Sequence, residues 1–181
     1  MPLNDADPPL GGAVNRPQVL ASPLRAPAER VLGLARRRGT TLAVAESLTG
    51  GMVASSLVEV PGSSAVLVGA IVAYATRIKA EVLGVDAAHL QRTGPVDALV
   101  AQQMAAGAAR LMGAEAAVST TGVAGPGPAD GHRAGTVHIA ACAPWARGHR
   151  ELLLPGGRDE VRIAAAEAAL SLLAEILDTP A

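Results

Sequence analysis

A serine followed closely by two glycines is the first feature of this 181-residue chain that could support catalysis. Residues 45–51 read Ala-Glu-Ser-Leu-Thr-Gly-Gly and follow a short apolar run typical of a strand. If a helix begins at Gly50 and Gly51, its unpaired N–H groups could bind an anion, or hold the oxyanion formed when Ser47 attacks a carbonyl. The alternative is structural, with hydroxyls that cap a helix and glycines that allow a tight turn.

A serine nucleophile needs a base, and the sequence offers an unusual candidate. Lys79 is the only lysine, and Tyr74, the only tyrosine, lies five residues before it at the end of the most apolar run. A lysine in a partly dry pocket can have its pKa lowered enough to act as a base, which an arginine cannot. The alternative is a tyrosine that closes the core and a lysine in solvent. The sequence places none of the four histidines well for this role: His89, His132, His138 and His149.

Two further segments could complete a pocket. Residues 120–126, Thr-Thr-Gly-Val-Ala-Gly-Pro, follow a buried run and would either form a pocket wall around Thr121 and Gly122 or make an ordinary mobile loop. Arg158 and Arg162 are one helical turn apart near the end of the chain. They could bind a phosphate in bidentate fashion, or lie in solvent beside acidic neighbours.

Alternating helices and apolar strands connect these segments. The pattern predicts helices over 28–38, up to 58, 78–83, 86–91, 97–113 and 158–177, and strands over 41–45, 65–74, 116–121, 136–143 and 149–154. The run 65–74 predicts a strand covered on both faces. We therefore expect a three-layer α/β/α sandwich with a mostly parallel, mixed central sheet. Ligands bind beyond the carboxyl ends of such strands, which selects the loops 46–51, 74–79 and 120–135.

Composition narrows the classes of function. Half of the residues are apolar and 17% are charged, enough for the core of one domain. A net charge of −1 and an aromatic content of 1% argue against nucleic-acid binding, and the lone Cys142 excludes an intramolecular disulfide or a CxxC site. Prolines at positions 2, 8, 9, 17 and 23 predict a flexible tail over 1–26, followed by one domain over 27–181. Without a long apolar run or a metal-ligand cluster, we expect a soluble cytoplasmic protein with no membrane segment and no metal site.

Several motifs, taken in order, resemble the CinA C-terminal domain family. They are the 45–51 segment, Val-Pro-Gly-Ser-Ser at 60–64, Tyr74 with Lys79, Leu-Gly-Val at 83–85, Thr-Gly-Val-Ala-Gly-Pro at 121–126 and Gly-Thr-Val at 135–137. The resemblance covers residues 28–177, and the chain looks like the stand-alone form of this domain. It differs from the family at Ala75-Thr76, where a Ser-Asn-type pair is usual. The characterised enzymes of the family are nicotinamide mononucleotide amidohydrolases of the PncC type.

The resemblance implies hydrolysis of the carboxamide of nicotinamide mononucleotide to nicotinate mononucleotide and ammonia, in pyridine nucleotide salvage. Ser47 would be the nucleophile, Lys79 would take its proton with help from Tyr74, and N–H groups near Gly50 and Gly51 would hold the oxyanion. The substrate would be lined by Glu46, Thr49, Gly50, Gly51, Thr121 and Gly122, with Arg158 or Arg162 near its phosphate. The resemblance implies no metal or organic cofactor, and it implies a homodimer.

A second hypothesis comes from a different class of function. CinA proteins are associated by name with competence and DNA damage, so the chain could be a catalytically silent nucleotide-binding or regulatory module that acts through protein partners. The presence of Ser47, Tyr74 and Lys79 together favours the enzyme.

Overall fold

The computed structural model describes residues 22–180 and contains one sheet flanked by helices. The helices are α1 (Arg25–Arg38), α2 (Met52–Val58), α3 (Thr76–Glu81), α4 (Ala87–Thr93), α5 (Ala98–Met112) and α6 (Arg158–Asp178). The strands are β1 (Leu42–Glu46), β2 (Leu67–Val72), β3 (Ala116–Gly122), β4 (Thr136–Cys142) and β5 (Arg147–Leu153). A short 3-10 turn, Ser63–Ala65, precedes β2.

The strands form a mixed sheet in the order β2-β1-β3-β4-β5. β1 is parallel to both β2 and β3, whereas β4 is antiparallel to β3 and to β5. The carboxyl ends of β1, β2 and β3 therefore meet at one end of the sheet, where Glu46 lies opposite Val72 and Thr120. The predicted α/β class with a mixed sheet is confirmed, and β4 and β5 supply its antiparallel half.

Helices cover both faces of the sheet. α1, α2 and α6 pack on one face, against larger side chains such as Val44, Val118 and Ile139. α5 packs on the other face, where Ala43 and Ala117 are among the small side chains that let a helix approach closely. Because β1 and β3 are covered on both sides, they are apolar along most of their length. Within residues 22–180 no helix is both long and apolar enough to cross a membrane.

The carboxyl end of α1 and both ends of α5 lie where the sequence predicts them. The Asp97 carboxylate caps α5, accepting hydrogen bonds from the N–H of Leu99 over 2.8 Å and of Val100 over 3.2 Å. Gly39 ends α1 and Gly113 ends α5, both in the left-handed conformation. These ends were predictable because each capping motif is contained within a few consecutive residues.

The prediction that 65–74 is a strand covered on both faces is wrong. β2 lies at the edge of the sheet, spans only Leu67–Val72, and exposes alternate side chains. Val68 is 51% exposed and Val72 is 48% exposed. An apolar run predicts a strand, but its place in the sheet depends on the strands that pair with it.

The start of the folded domain also differs from the prediction. α1 begins at Arg25, and Leu24 is buried in the core, so residues 24–26 belong to the domain instead of the predicted tail. Pro27 is compatible with this start, because the N–H that proline lacks has no partner in the first turn of a helix. The predicted tail over 1–21 lies outside the described residues.

Candidate active site

Loops at the carboxyl ends of β1, β2 and β3 enclose a cavity of about 290 Å³. This is the end of the sheet that the topology rule predicts for a ligand. The predicted site residues that line the cavity are Ser47, Tyr74, Lys79, Thr121, Gly122 and Arg158. Those that do not line it are Glu46, Thr49, Gly50, Gly51 and Arg162.

Ser47 and Lys79 form a hydrogen-bonded pair in this cavity. Lys79 Nζ donates to Ser47 Oγ over 3.0 Å and to the Ala73 carbonyl over 2.7 Å. The N–H of Ser47 donates to the Thr120 carbonyl over 3.0 Å, so the pairing of β1 with β3 continues to Ser47. Both side chains are buried, with Lys79 only 1% exposed. The fold thus holds the serine and the amine at a fixed separation.

Burial changes the protonation of Lys79. Desolvation lowers the pKa of Lys79 from 10.5 to about 8, while the carboxylate of Asp130 acts in the opposite direction. At pH 7 roughly one lysine in ten is then neutral, compared with about one in three thousand at the ordinary pKa. A neutral amine beside the hydroxyl can accept the Ser47 proton, as a general base must.

Glu46 stabilises a helix instead of facing the cavity. Its fully buried carboxylate accepts hydrogen bonds from the N–H groups of Gly51 over 2.9 Å, Val53 over 3.2 Å and Ala54 over 2.9 Å. These are donors at the beginning of α2, where a negative charge is also favoured by the helix dipole. Glu46 therefore fixes the turn that follows Ser47.

The resemblance implies that N–H groups near Gly50 and Gly51 hold an oxyanion, and the N–H groups of these two glycines themselves already have acceptors. The N–H of Gly50 donates to the Ser47 carbonyl over 3.2 Å, and the N–H of Gly51 donates to Glu46. The two glycines have φ values of 61° and 98°, a region that side chains disfavour. Their place in the sequence thus follows from the shape of the turn.

Thr49 and Arg162 also act within this turn. The Thr49 hydroxyl shares a buried hydrogen bond of 2.7 Å with the Thr120 hydroxyl. Arg162, from α6, donates through Nε to the Leu48 carbonyl and through Nη2 to the Thr49 carbonyl, each over 3.1 Å. Of the two arginines, the structure therefore places Arg162 against the backbone of the loop after Ser47 and Arg158 in the cavity.

Tyr74 and Arg158 lie together at the cavity mouth. The Tyr74 side chain is 65% exposed, and its hydroxyl is 3.5 Å from Arg158 Nη2. Arg158 Nη1 donates to the Gly125 carbonyl over 2.8 Å. Among residues 22–180, no hydrogen bond joins Tyr74 to Ser47 or Lys79. The resemblance implies that Tyr74 assists Lys79, but the structure places the Tyr74 hydroxyl next to Arg158.

The remaining wall comes from the loops around β3. The Thr121 hydroxyl donates to the Pro95 carbonyl over 2.6 Å, which ties the end of β3 to the segment before α5. Sequence reasoning missed Asp130, which lines the cavity and affects the pKa of Lys79. A signal was present, since Asp130 is the only acidic residue in the loop 120–135.

Comparisons with known proteins agree on one family. The family model described as the CinA C-terminal domain matches residues 24–177. A CinA-like protein of Frankia casuarinae is 46% identical over 147 residues, 81% of this chain and 34% of that protein. A putative competence-damage inducible protein of Desulforamulus reducens is 40% identical over 139 residues, 77% of this chain and 34% of that protein. The chain thus spans about a third of the length of these relatives.

Solved structures extend the similarity to the fold. The competence/damage inducible protein CihA from Agrobacterium tumefaciens matches with a TM-score of 0.81 and 36% identity, over 84% of this chain and 94% of that chain. A protein of the CinA superfamily from Escherichia coli matches with a TM-score of 0.77 and 28% identity, over 86% of this chain and 92% of that chain. Both matches cover most of residues 22–180.

Proposed function

The chain belongs to the CinA C-terminal domain family, and we propose that it hydrolyses the carboxamide of nicotinamide mononucleotide to nicotinate mononucleotide and ammonia. The observation that carries this proposal is the hydrogen bond between Lys79 Nζ and Ser47 Oγ in a cavity at the carboxyl end of the sheet. A buried lysine with a lowered pKa beside a serine hydroxyl is an activated nucleophile pair. Strongly perturbed groups of this kind concentrate at functional sites.

The reaction uses Lys79 as the proton carrier. Neutral Lys79 takes the hydroxyl proton while Ser47 Oγ bonds to the amide carbon, and backbone N–H donors beside Ser47 stabilise the oxyanion. The Lys79 ammonium then protonates the amide nitrogen, the C–N bond breaks, and ammonia leaves an ester on Ser47. Water adds to the ester carbon and gives one proton to Lys79, which returns it to Ser47 Oγ as the carboxylic acid departs. Each turnover consumes one amide and one water.

The cavity mouth suits a cationic ring and a phosphate. Tyr74 offers an exposed aromatic face, which attracts a cation such as a pyridinium ring. Arg158 lines the same cavity and offers a guanidinium group that matches phosphate geometry. We therefore assign Tyr74 and Arg158 to substrate contact, and Ser47 and Lys79 to the chemistry.

The experiment that tests this proposal is ammonia release from nicotinamide mononucleotide by the purified chain and by Ser47→Ala. We expect activity in the wild type and a loss of at least about 1,000-fold in Ser47→Ala, because the nucleophile is removed. Ser56→Ala is the matched control, since the Ser56 hydroxyl is buried in α2 and donates to the Val53 carbonyl outside the cavity. A wild type that binds the nucleotide but releases no ammonia would favour the silent binding module.

We also propose that the chain forms a homodimer. β2 is an edge strand with no charged residue between Leu67 and Val72, a surface that is open to pairing with a second copy. Light scattering tests this, since a homodimer has twice the monomer mass of 18.1 kDa. A mass of one monomer at working concentration would reject it.

A further inference from the structure

The guanidinium group of Arg162 binds the backbone immediately after the nucleophile. Its Nε atom donates to the Leu48 carbonyl and its Nη2 atom donates to the next carbonyl, that of Thr49, each over 3.1 Å. Its Nη1 atom lies 3.5 Å from Asp159 on the same helix. With its planar fork directed at two carbonyls, Arg162 holds the nucleophile loop in one orientation.

This contact fixes the direction of the N–H groups in the loop. In a trans peptide the N–H points opposite to the carbonyl of the preceding residue. The bond to the Thr49 carbonyl therefore turns the N–H of Gly50 away from α6, toward the Ser47 carbonyl that it contacts over 3.2 Å. The hydrogen bond from the Gly50 N–H to the Ser47 carbonyl then fixes the orientation of the peptide between Ser47 and Leu48. Arg162 thus determines the orientation of the Leu48 N–H through one intervening hydrogen bond.

Among the described residues, the Leu48 N–H has no acceptor. Within residues 22–180 neither Leu48 nor Thr49 donates a backbone hydrogen bond, whereas the N–H groups of Gly50 and Gly51 are occupied. Leu48 lines the cavity beside Ser47, and Thr49 does not. The N–H of the residue after a nucleophile is well placed to reach the oxygen of the carbonyl that the nucleophile attacks.

We propose that the Leu48 N–H is an oxyanion donor and that Arg162 is the positioning residue that aims it. This inference rests on the proposed amide hydrolysis at Ser47. Arg162 would therefore orient the oxyanion donor, and Arg158 would bind the substrate phosphate. Arg162 contacts no reacting atom, so its removal should slow the chemical step without weakening nucleotide binding.

The test compares two substrates that differ only in the phosphate, nicotinamide mononucleotide and nicotinamide riboside. Arg162→Met should lower kcat about 100-fold on both, the typical effect of losing an oxyanion donor, and leave KM within about threefold. Arg162→Lys, which can reach one carbonyl, should recover part of kcat. Arg158→Met is the matched control, with its main effect on KM for the mononucleotide. A rise in KM for the mononucleotide alone in Arg162→Met would overturn the inference.

A second readout separates this inference from the proposed substrate. A small alkyl fluorophosphonate forms a bond from Ser47 Oγ to phosphorus and releases fluoride, while Lys79 takes the serine proton. We expect Arg162→Met to be labelled at least about tenfold more slowly than the wild type, because the phosphoryl oxygen uses the same donor. Equal labelling rates would overturn the role of Arg162 even if the wild type hydrolyses the amide. Slower labelling would support it even if the amide is not the substrate. A wild type labelled no faster than Ser47→Ala would overturn both.

Thermal unfolding tests whether the variants fold. The unfolding of Arg162→Met and Arg162→Lys should be cooperative, since Arg162 is near the start of α6 and its polar contacts among residues 22–180 are with the loop after Ser47 and with Asp159. If Arg162→Met does not fold, Arg162→Lys carries the test. In that case a labelling rate equal to the wild type contradicts the inference, and a slower rate supports it.

Discussion

Lys79 Nζ is hydrogen-bonded to Ser47 Oγ at 3.0 Å and to the Ala73 carbonyl at 2.7 Å. In the neutral amine one N–H can stay on the Ala73 carbonyl while the lone pair faces the Ser47 hydroxyl, which reverses the donor and the acceptor of the serine bond. The Ala73 carbonyl thereby orients the amine for proton transfer. This is the geometry that a general base requires.

The activity should rise with pH as Lys79 loses its proton. In the proposed mechanism neutral Lys79 is the active form and the pKa of Lys79 is about 8, so kcat/KM should increase about tenfold per pH unit below pH 7.5 and level off above pH 8.5. Initial rates of ammonia release between pH 6 and 9.5 measure this. A profile that is flat over this range would contradict the assignment of Lys79.

Removing the carboxylate of Asp130 should move this profile to lower pH. The charge of Asp130 raises the pKa of Lys79 against the effect of burial, so Asp130→Asn should shift the midpoint of the profile to lower pH. Asparagine tolerates the backbone φ of 50° at this position. Asp178→Asn, at the far end of α6, is the control and should leave the midpoint in place. An unchanged midpoint in Asp130→Asn would show that the charge of Asp130 does not affect the pKa of Lys79.

Lys79 should make stability depend on pH in a specific window. Between pH 8 and 10.5 the unfolded chain binds the lysine proton and the folded chain does not, so the free energy of unfolding rises with pH. Relative to Lys79→Met, the wild type should gain about 3 kcal/mol across this window and nothing below it. Urea unfolding of both proteins at pH 7, 8, 9 and 10 measures the difference. If the free energies of unfolding of the two proteins changed equally with pH, Lys79 would not be desolvated in the folded state.

Tyr74 should contribute through its ring more than through its hydroxyl. The hydroxyl contacts Arg158 at 3.5 Å and not Lys79, so Tyr74→Phe should keep kcat within about threefold and keep the pH midpoint. Tyr74→Ala removes the aromatic face and should raise KM about tenfold. Steady-state kinetics of the two variants separate these effects. A large loss of kcat in Tyr74→Phe would indicate that the Tyr74 hydroxyl takes part in the proton transfer.

Much of the fold was predictable because its signals are local. The caps at Asp97, Gly39 and Gly113 and the buried strands β1 and β3 follow from neighbouring residues. The edge position of β2 was not predictable, since Val68 and Val72 are apolar yet exposed. Exposure at an edge depends on which strands pair, and a single run of residues carries no information on that.

The site was predictable to the extent that it depends on unusual residues. The only lysine and the serine before two glycines identify Lys79 and Ser47, although 32 residues separate them. The roles of Glu46 and Arg162 were not predictable, because each depends on a hydrogen-bond partner that the fold supplies. Arg162 lies 114 residues after Leu48, and only the packing of α6 on the nucleophile loop brings them together.

Ammonia release by Lys79→Met compared with the wild type is the most direct test of Lys79 as the base for Ser47. Methionine fills a similar volume without an ionisable group, so we predict a loss of at least about 1,000-fold at both pH 8 and pH 9.5 in a folded variant. Retention of more than a tenth of the wild-type rate at either pH would contradict the account.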